Sequence, residues 1–180
     1  MDLYTFLKPE NEVEERIISD DRFKLGCEYG LSRPGHPEGK TIFHIREVLD
    51  NIDKYSQPID RSDLRLVGLV HDTFKYLVNM KSTVSGDKSH GMLARRFIQE
   101  FVSTPRVLET IELHDSAYRR WLIGNRGNWV EAEDKARKLI TKIGNNIDFY
   151  LTFYNCDNKT GDKTPDHYDW FKALVGINKL

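Results

Sequence analysis

The sequence predicts an all-α fold, a compact single-domain helical bundle over residues 1–180. Three observations predict it. Apolar residues recur at three- and four-residue spacing through most of the chain. Residues suited to starting helices precede those stripes, and the alternation of half-buried strands is scarce. With 180 residues, 39% of them hydrophobic, the chain carries enough apolar material for one full core.

Each element follows from local signals. Asn11 and Glu14 fit a capping box ahead of Arg16-Ile17-Ile18, and RFKLGCEYG suits a second short helix. SRPGHPEGK reads as a loop through its prolines and glycines. Thr41 to Tyr55 carries Ile45, Val48, Leu49 and Ile52 on one stripe, and QPIDRS breaks it. The segment LVGLVHDTFKYLV, Leu66 to Val78, then reads as one helix buried on most sides, capped by Asp60 or Ser62. NMKSTVSGDK reads as a polar loop. Ser89 can cap a helix holding Leu93, Phe97 and Phe101. Thr104-Pro105 supplies an N-cap and a first-position proline for a helix running through Val107, Leu108 and Ile111 towards His114. After the GNRGN turn, Trp129 to Tyr154 reads as one long helix or as two broken near GNN. Pro165 can start a final helix through Trp170 and Leu174.

Composition narrows the function classes. The formal net charge of -1 offers no global basic surface, so neither nucleic acid nor an anionic membrane is indicated as a partner. Two cysteines, Cys27 and Cys156, cannot build a disulfide framework, and the first residues lack a basic start followed by an apolar run. No apolar run approaches the roughly 20 residues needed to span a bilayer. A cytoplasmic location is expected, and the oligomeric state is not indicated.

His71, Asp72 and Lys75 interrupt the apolar segment Leu66 to Val78, where unpartnered charge costs several kcal/mol, roughly. Other polar residues share apolar faces: His44 lies four before Val48, His114 three after Ile111, and Asp157 continues the line of Ile147, Tyr150 and Tyr154. His90 stands near a helix start. Six residues therefore converge as candidate metal ligands: His44, His71, Asp72, His90, His114 and Asp157. Imidazoles and carboxylates suit divalent iron, manganese, nickel, cobalt or zinc, and one shared carboxylate can bridge two such ions.

At these residues the chain resembles the HD-domain metal-dependent phosphohydrolases. Their signature is a histidine, a later His-Asp pair and a distant aspartate, matched here by His44, His71-Asp72 and Asp157. Two-metal members add two histidines in between, where His90 and His114 stand. HPEGKTIFH, from His36 to His44, is similar to the segment ahead of the first metal histidine in the HD domain of bacterial tRNA nucleotidyltransferases. HDTFK is similar to the HDxxK form in several two-metal branches. The resemblance covers roughly His36 to Lys163. It implies two divalent transition-metal ions and hydrolysis of a phosphomonoester or phosphodiester by a metal-activated hydroxide. The implied substrate is a small phosphorylated molecule, a nucleotide by family analogy.

In that reading Asp72 and Lys75 are the catalytic pair, and Lys75, His36 and Glu38 face the substrate. The plain alternatives are that Lys75 only pairs with Asp72 and that His36 and Glu38 belong to an ordinary turn. A second His-Asp dipeptide, in ELHDSAY, is read as structural, with Asp115 pairing to Arg119 one turn on. Two other classes share the ligand set: mixed-valent di-iron oxygenases of the same superfamily, and a metal- or nucleotide-binding regulatory module without turnover.

Overall fold

The structure, a computed structural model, describes residues 2–78 and 88–178. The expected polar loop NMKSTVSGDK lies outside the described residues except for Lys88. The fold is all-α. Among the described residues there is no strand, only one isolated antiparallel bridge between Arg33 and His36 in the loop before the first long helix.

The chain opens with three short helices, α1 (Leu3–Leu7), α2 (Glu12–Ser19) and α3 (Asp21–Cys27). Asp2, Asn11 and Asp20 each accept backbone N–H groups of the first turn that follows, the groups that have no partner within a helix. Glu14 reaches back to the Glu10 amide at 3.0 Å, one residue outside the expected capping-box register. Its carboxylate also accepts two 2.9 Å hydrogen bonds from Arg65. Both side chains are buried, Glu14 at 0% and Arg65 at 1% exposure, so this ion pair fastens α2 inside the fold.

Helix α4 (Thr41–Tyr55) matches the expected stripe. Helix α5 (Pro58–Val70) departs from the sequence reading at both ends. It starts at Pro58 behind Gln57, because proline in the first turn needs no amide partner; Asp60 and Ser62 therefore lie inside the helix rather than capping it. It stops at Val70, and Thr73–Leu77 forms a 3-10 helix instead of continuing the α-helix. The cause is local. His71 Nδ1 bonds the Gly68 carbonyl and Thr73 Oγ1 bonds the Leu69 carbonyl, each at 3.0 Å, so side chains satisfy carbonyls at the helix end. Leu77, inside the segment expected to be buried on most sides, is 57% exposed. Gly26 of α3 packs against this 3-10 turn so tightly that a Cβ there would meet the Thr73 carbonyl oxygen at 2.0 Å.

Ser89 caps α6 (His90–Ile98) by accepting the Met92 amide, and α7 (Pro105–Leu113) begins at proline as expected. Helix α8 (Ser116–Asn125) starts immediately beyond His114-Asp115, so His114 and Tyr118 belong to different helices. The 129–154 region is two helices, α9 (Trp129–Ile143) and α10 (Ile147–Asn158), broken at Gly144–Asn146, where Gly144 takes φ +56°. Helix α11 (Asp166–Asn178) closes the described chain. No described helix is long and apolar enough to cross a membrane.

Helix α10 is shared by two apolar clusters. Phe149, Phe153 and Cys156 face the core built from the early helices through α7, while Ile147, Tyr150 and Tyr154 face the core of α8, α9 and α11. Removing Glu14 should leave Arg65 buried without its main partner, a change that typically costs about 3 to 5 kcal/mol. Denaturant unfolding of Glu14→Ala is expected to show a loss on that scale; a midpoint unchanged from the unmutated protein would refute this account of the pair.

Candidate metal centre

The six candidate ligands come from five helices. His44 lies on the first turn of α4, His71-Asp72 at the end of α5, His90 at the start of α6, His114 at the end of α7, and Asp157 on the last turn of α10. Glycine makes one of these approaches possible. A Cβ on Gly91 would sit 2.7 Å from the Glu112 carbonyl oxygen and 3.0 Å from that of Ile111. Without it, α6 packs close to α7 and His90 reaches His114.

Backbone bonds orient two of the imidazoles. The Nδ1–H groups of His71 and His114 donate to the carbonyls of Gly68 at 3.0 Å and Ile111 at 2.8 Å. A carbonyl only accepts, so Nδ1 carries a proton, and the neutral form of each ring directs an unprotonated Nε2 into the cluster. The Nε2 atoms meet in pairs, His44 to His71 at 3.1 Å and His90 to His114 at 3.0 Å.

Asp72 lies between the pairs with one oxygen towards each. Oδ2 is 3.5 Å from His44 Nε2 and 3.6 Å from His71 Nε2, while Oδ1 is 3.3 Å from His114 Nε2 and 3.6 Å from His90 Nε2. Asp157 Oδ1 adds a contact to His44 Nε2 at 3.2 Å. These separations can be tested against an ion. Nitrogen and oxygen ligands about 2.1 Å from a divalent metal lie about 3.0 to 3.4 Å apart in octahedral or tetrahedral arrangements, close to the observed spacing. Asp72 Oδ1 is buried and has no hydrogen-bond partner, as expected of a ligand atom. His44-His71-Asp72 and Asp72-His90-His114 therefore form two buried groups that can each hold a metal ion, with Asp72 common to both.

The charges fit cation binding. Burial pushes His71 down to about 3 and His90 down to about 4, which keeps both rings neutral near pH 7. Burial also opposes charge on His44 and His114, but carboxylates outweigh it, Asp157 and Glu38 at His44 and Asp115 and Asp72 at His114, and both pKa values rise. Burial disfavours the anionic forms of Asp72 and Asp157; Lys75 beside the first and Lys163 beside the second more than compensate, and both stay well below the usual carboxylate range.

A cavity of about 450 Å³ opens from this cluster, lined by Tyr29, Arg33, His36, Glu38, Asp72 and Lys75 among others. Lys75 ion-pairs with Asp72, as its plain alternative held, and also lines the cavity. His36 Nδ1 bonds Glu38 Oε1 at 2.9 Å, and the same carboxylate oxygen lies 3.4 Å from His44 Nδ1. The 159–163 loop touches two elements: Gly35 N–H of the 28–40 loop donates to Asp162 at 2.6 Å, and Gly161 N–H donates to Glu47 of α4 at 2.8 Å.

Sequence reasoning missed Lys163, Arg33 and the inward side of Asp115. Lys163 bonds Asp157 Oδ1 at 2.8 Å. Asp115 has the Arg119 contact expected of it, at 3.4 Å, but also lies 3.3 Å from His90 Nε2. Its repeated His-Asp dipeptide was the available signal; Lys163 and Arg33 had none. No family model, curated protein or solved structure matches this chain.

His71→Ala and Asp72→Ala should each remove most bound divalent metal, measured by elemental analysis after dialysis. Retained metal in either variant would contradict the assignment. Because ions bind the folded chain, manganese, cobalt, nickel or zinc should raise the melting temperature relative to chelator-treated protein. About 2.7 kcal/mol is at stake when free metal is a hundredfold above its dissociation constant, and superimposable melts would exclude this contribution. Raised pKa values at His44 and His114 mean that metal must displace protons there, so affinity should increase with pH across the neutral range. Calorimetric titration at several pH values checks this; a flat profile would contradict it.

Proposed function

We propose that this chain is a metal-dependent phosphohydrolase of the HD-domain type, acting on a phosphomonoester or phosphodiester. The observation that carries the reading is Asp72, whose two oxygens face two separate imidazole pairs beside a cavity lined by Lys75 and Arg33. Divalent ions held by His44, His71, Asp72, His90, His114 and Asp157 would supply an acidified water and neutralise charge on a phosphate.

The chain's own residues supply binding and positioning. Lys75 lines the cavity and shares its charge with Asp72, so its ammonium stands within the walls that a phosphate would enter. Arg33 lines the same cavity, is exposed, and makes no ion pair with another described residue. Its planar fork of donors suits phosphate oxygens. His36 has Nδ1 engaged by Glu38, which leaves Nε2 for a substrate atom. A volume of about 450 Å³ falls in the range of small-molecule sites, which favours a nucleotide-sized substrate over a polymer; the nucleotide itself rests on the family resemblance.

A cysteine nucleophile is not suited to this chain. Cys27 and Cys156 are both buried in the apolar core, and burial pushes each thiol up to about 12. Attack by water, with positioning and charge neutralisation doing most of the work, agrees with what phosphoryl transfer requires.

Lys75→Met keeps a similar side-chain volume and removes the charge. It should retain metal while phosphate-ester turnover falls by about 10²-fold or more, the scale of one well-placed electrostatic group. Turnover should persist without oxygen in the presence of manganese or cobalt. Activity seen only with iron and oxygen would assign the di-iron oxygenase reading instead. Bound metal with no turnover across phosphate esters would favour the regulatory module.

A further inference from the structure

Asp115 occupies the same local position relative to His114 that Asp72 occupies relative to His71. Both histidines end a helix with nearly the same backbone angles, φ -50° and ψ -40° at His71 against φ -51° and ψ -42° at His114. Each turns Nδ1 back to the carbonyl three residues earlier and presents Nε2 to the cluster. Each following aspartate leaves the helix with ψ near zero, -6° at Asp72 and -8° at Asp115.

Position at a helix start does not account for the Asp115 carboxylate. Aspartate at an N-cap ordinarily accepts an amide of the first turn, yet Asp115 stands at the N-cap of α8 and makes no such bond. Its carboxylate turns to the histidines instead. Oδ2 is 3.3 Å from His90 Nε2, and Oδ1 is 3.7 Å from His114 Nε2.

We propose that Asp115 is a seventh metal ligand, the terminal carboxylate of the ion held by His90, His114 and Asp72 Oδ1. The two halves of the centre then have the same composition: two imidazoles, one oxygen of Asp72, and one further aspartate, Asp157 on one side and Asp115 on the other. Arg119 lies 3.4 Å from Asp115 Oδ2, the ordinary helix ion pair that would be this carboxylate's role if it bound no metal. This inference rests on the metal reading above and adds a residue outside the six-ligand pattern that suggested it.

Manganese titration separates the two levels. The unmutated protein should bind two ions by calorimetry and elemental analysis. Asp115→Asn keeps the side-chain shape and should weaken one ion by about 10-fold to 100-fold while leaving the other unchanged. Arg119→Gln should leave both sites within a few-fold of the unmutated protein. Fewer than two ions bound by the unmutated protein would overturn the metal reading and this inference with it. Two ions bound with undiminished affinity by Asp115→Asn would overturn the inference alone, as would an equal loss in Arg119→Gln, which would make the contact merely structural. If Asp115→Asn lowers the melting temperature of the chelated protein, Asp115→Glu decides: recovery of the second ion supports ligation, and no recovery overturns it.

Discussion

The architecture around α5 depends on keeping one ionised carboxylate, Asp72, buried with its two oxygens facing different imidazole pairs. A charge in that position is tolerated only if cations and hydrogen bonds replace the water it has lost. The helix therefore stops where the pair begins. His71 and Thr73 take up freed carbonyls of α5, and Gly91 lets α6 pack close to α7. Each device spends regular structure, or a side chain's worth of packing, to bring imidazoles towards one carboxylate.

The lysines add positive charge beside two acids of the cluster. Lys75 stands on Asp72 and Lys163 on Asp157, so each acid has an ammonium partner within the fold. An ammonium is a flexible point charge on a long stem. It can hold an anion in place and then swing towards another negative group once a stronger cation takes over. The proposed chemistry uses that property at Lys75, whose stem already lies along the cavity wall.

Much of the fold was legible because its signals are local. The Thr41–Tyr55 stripe, the Ser89 cap and the proline opening α7 need only neighbours in sequence to act. The α5 boundaries were not, since helical periodicity runs on through Phe74 while side-chain bonds to Gly68 and Leu69 end the helix. The buried polar cluster was legible for a different reason: polar residues on otherwise apolar faces have few explanations, and six such candidates fell in one order. Lys163, Arg33 and the inward side of Asp115 were hidden because exposed-looking charged residues in loops or at helix ends carry no periodic signature. Their role depends on tertiary approach, as when Gly161 and Asp162 tie the 159–163 loop to the 28–40 loop and to Glu47.

The separation of the candidate ligands along the chain would have a mechanical consequence. Cys27 and Cys156 are each buried without a disulfide, so no covalent cross-link joins the early helices to α10. An ion gripped by His44 and Asp157 would act as one, closing a long loop of the unfolded chain and removing entropy from it in the way a disulfide does. It would be a staple released by acid or chelator and indifferent to reductant. The rigidity of this molecule would then follow the supply of metal around it, whatever the redox state of the compartment.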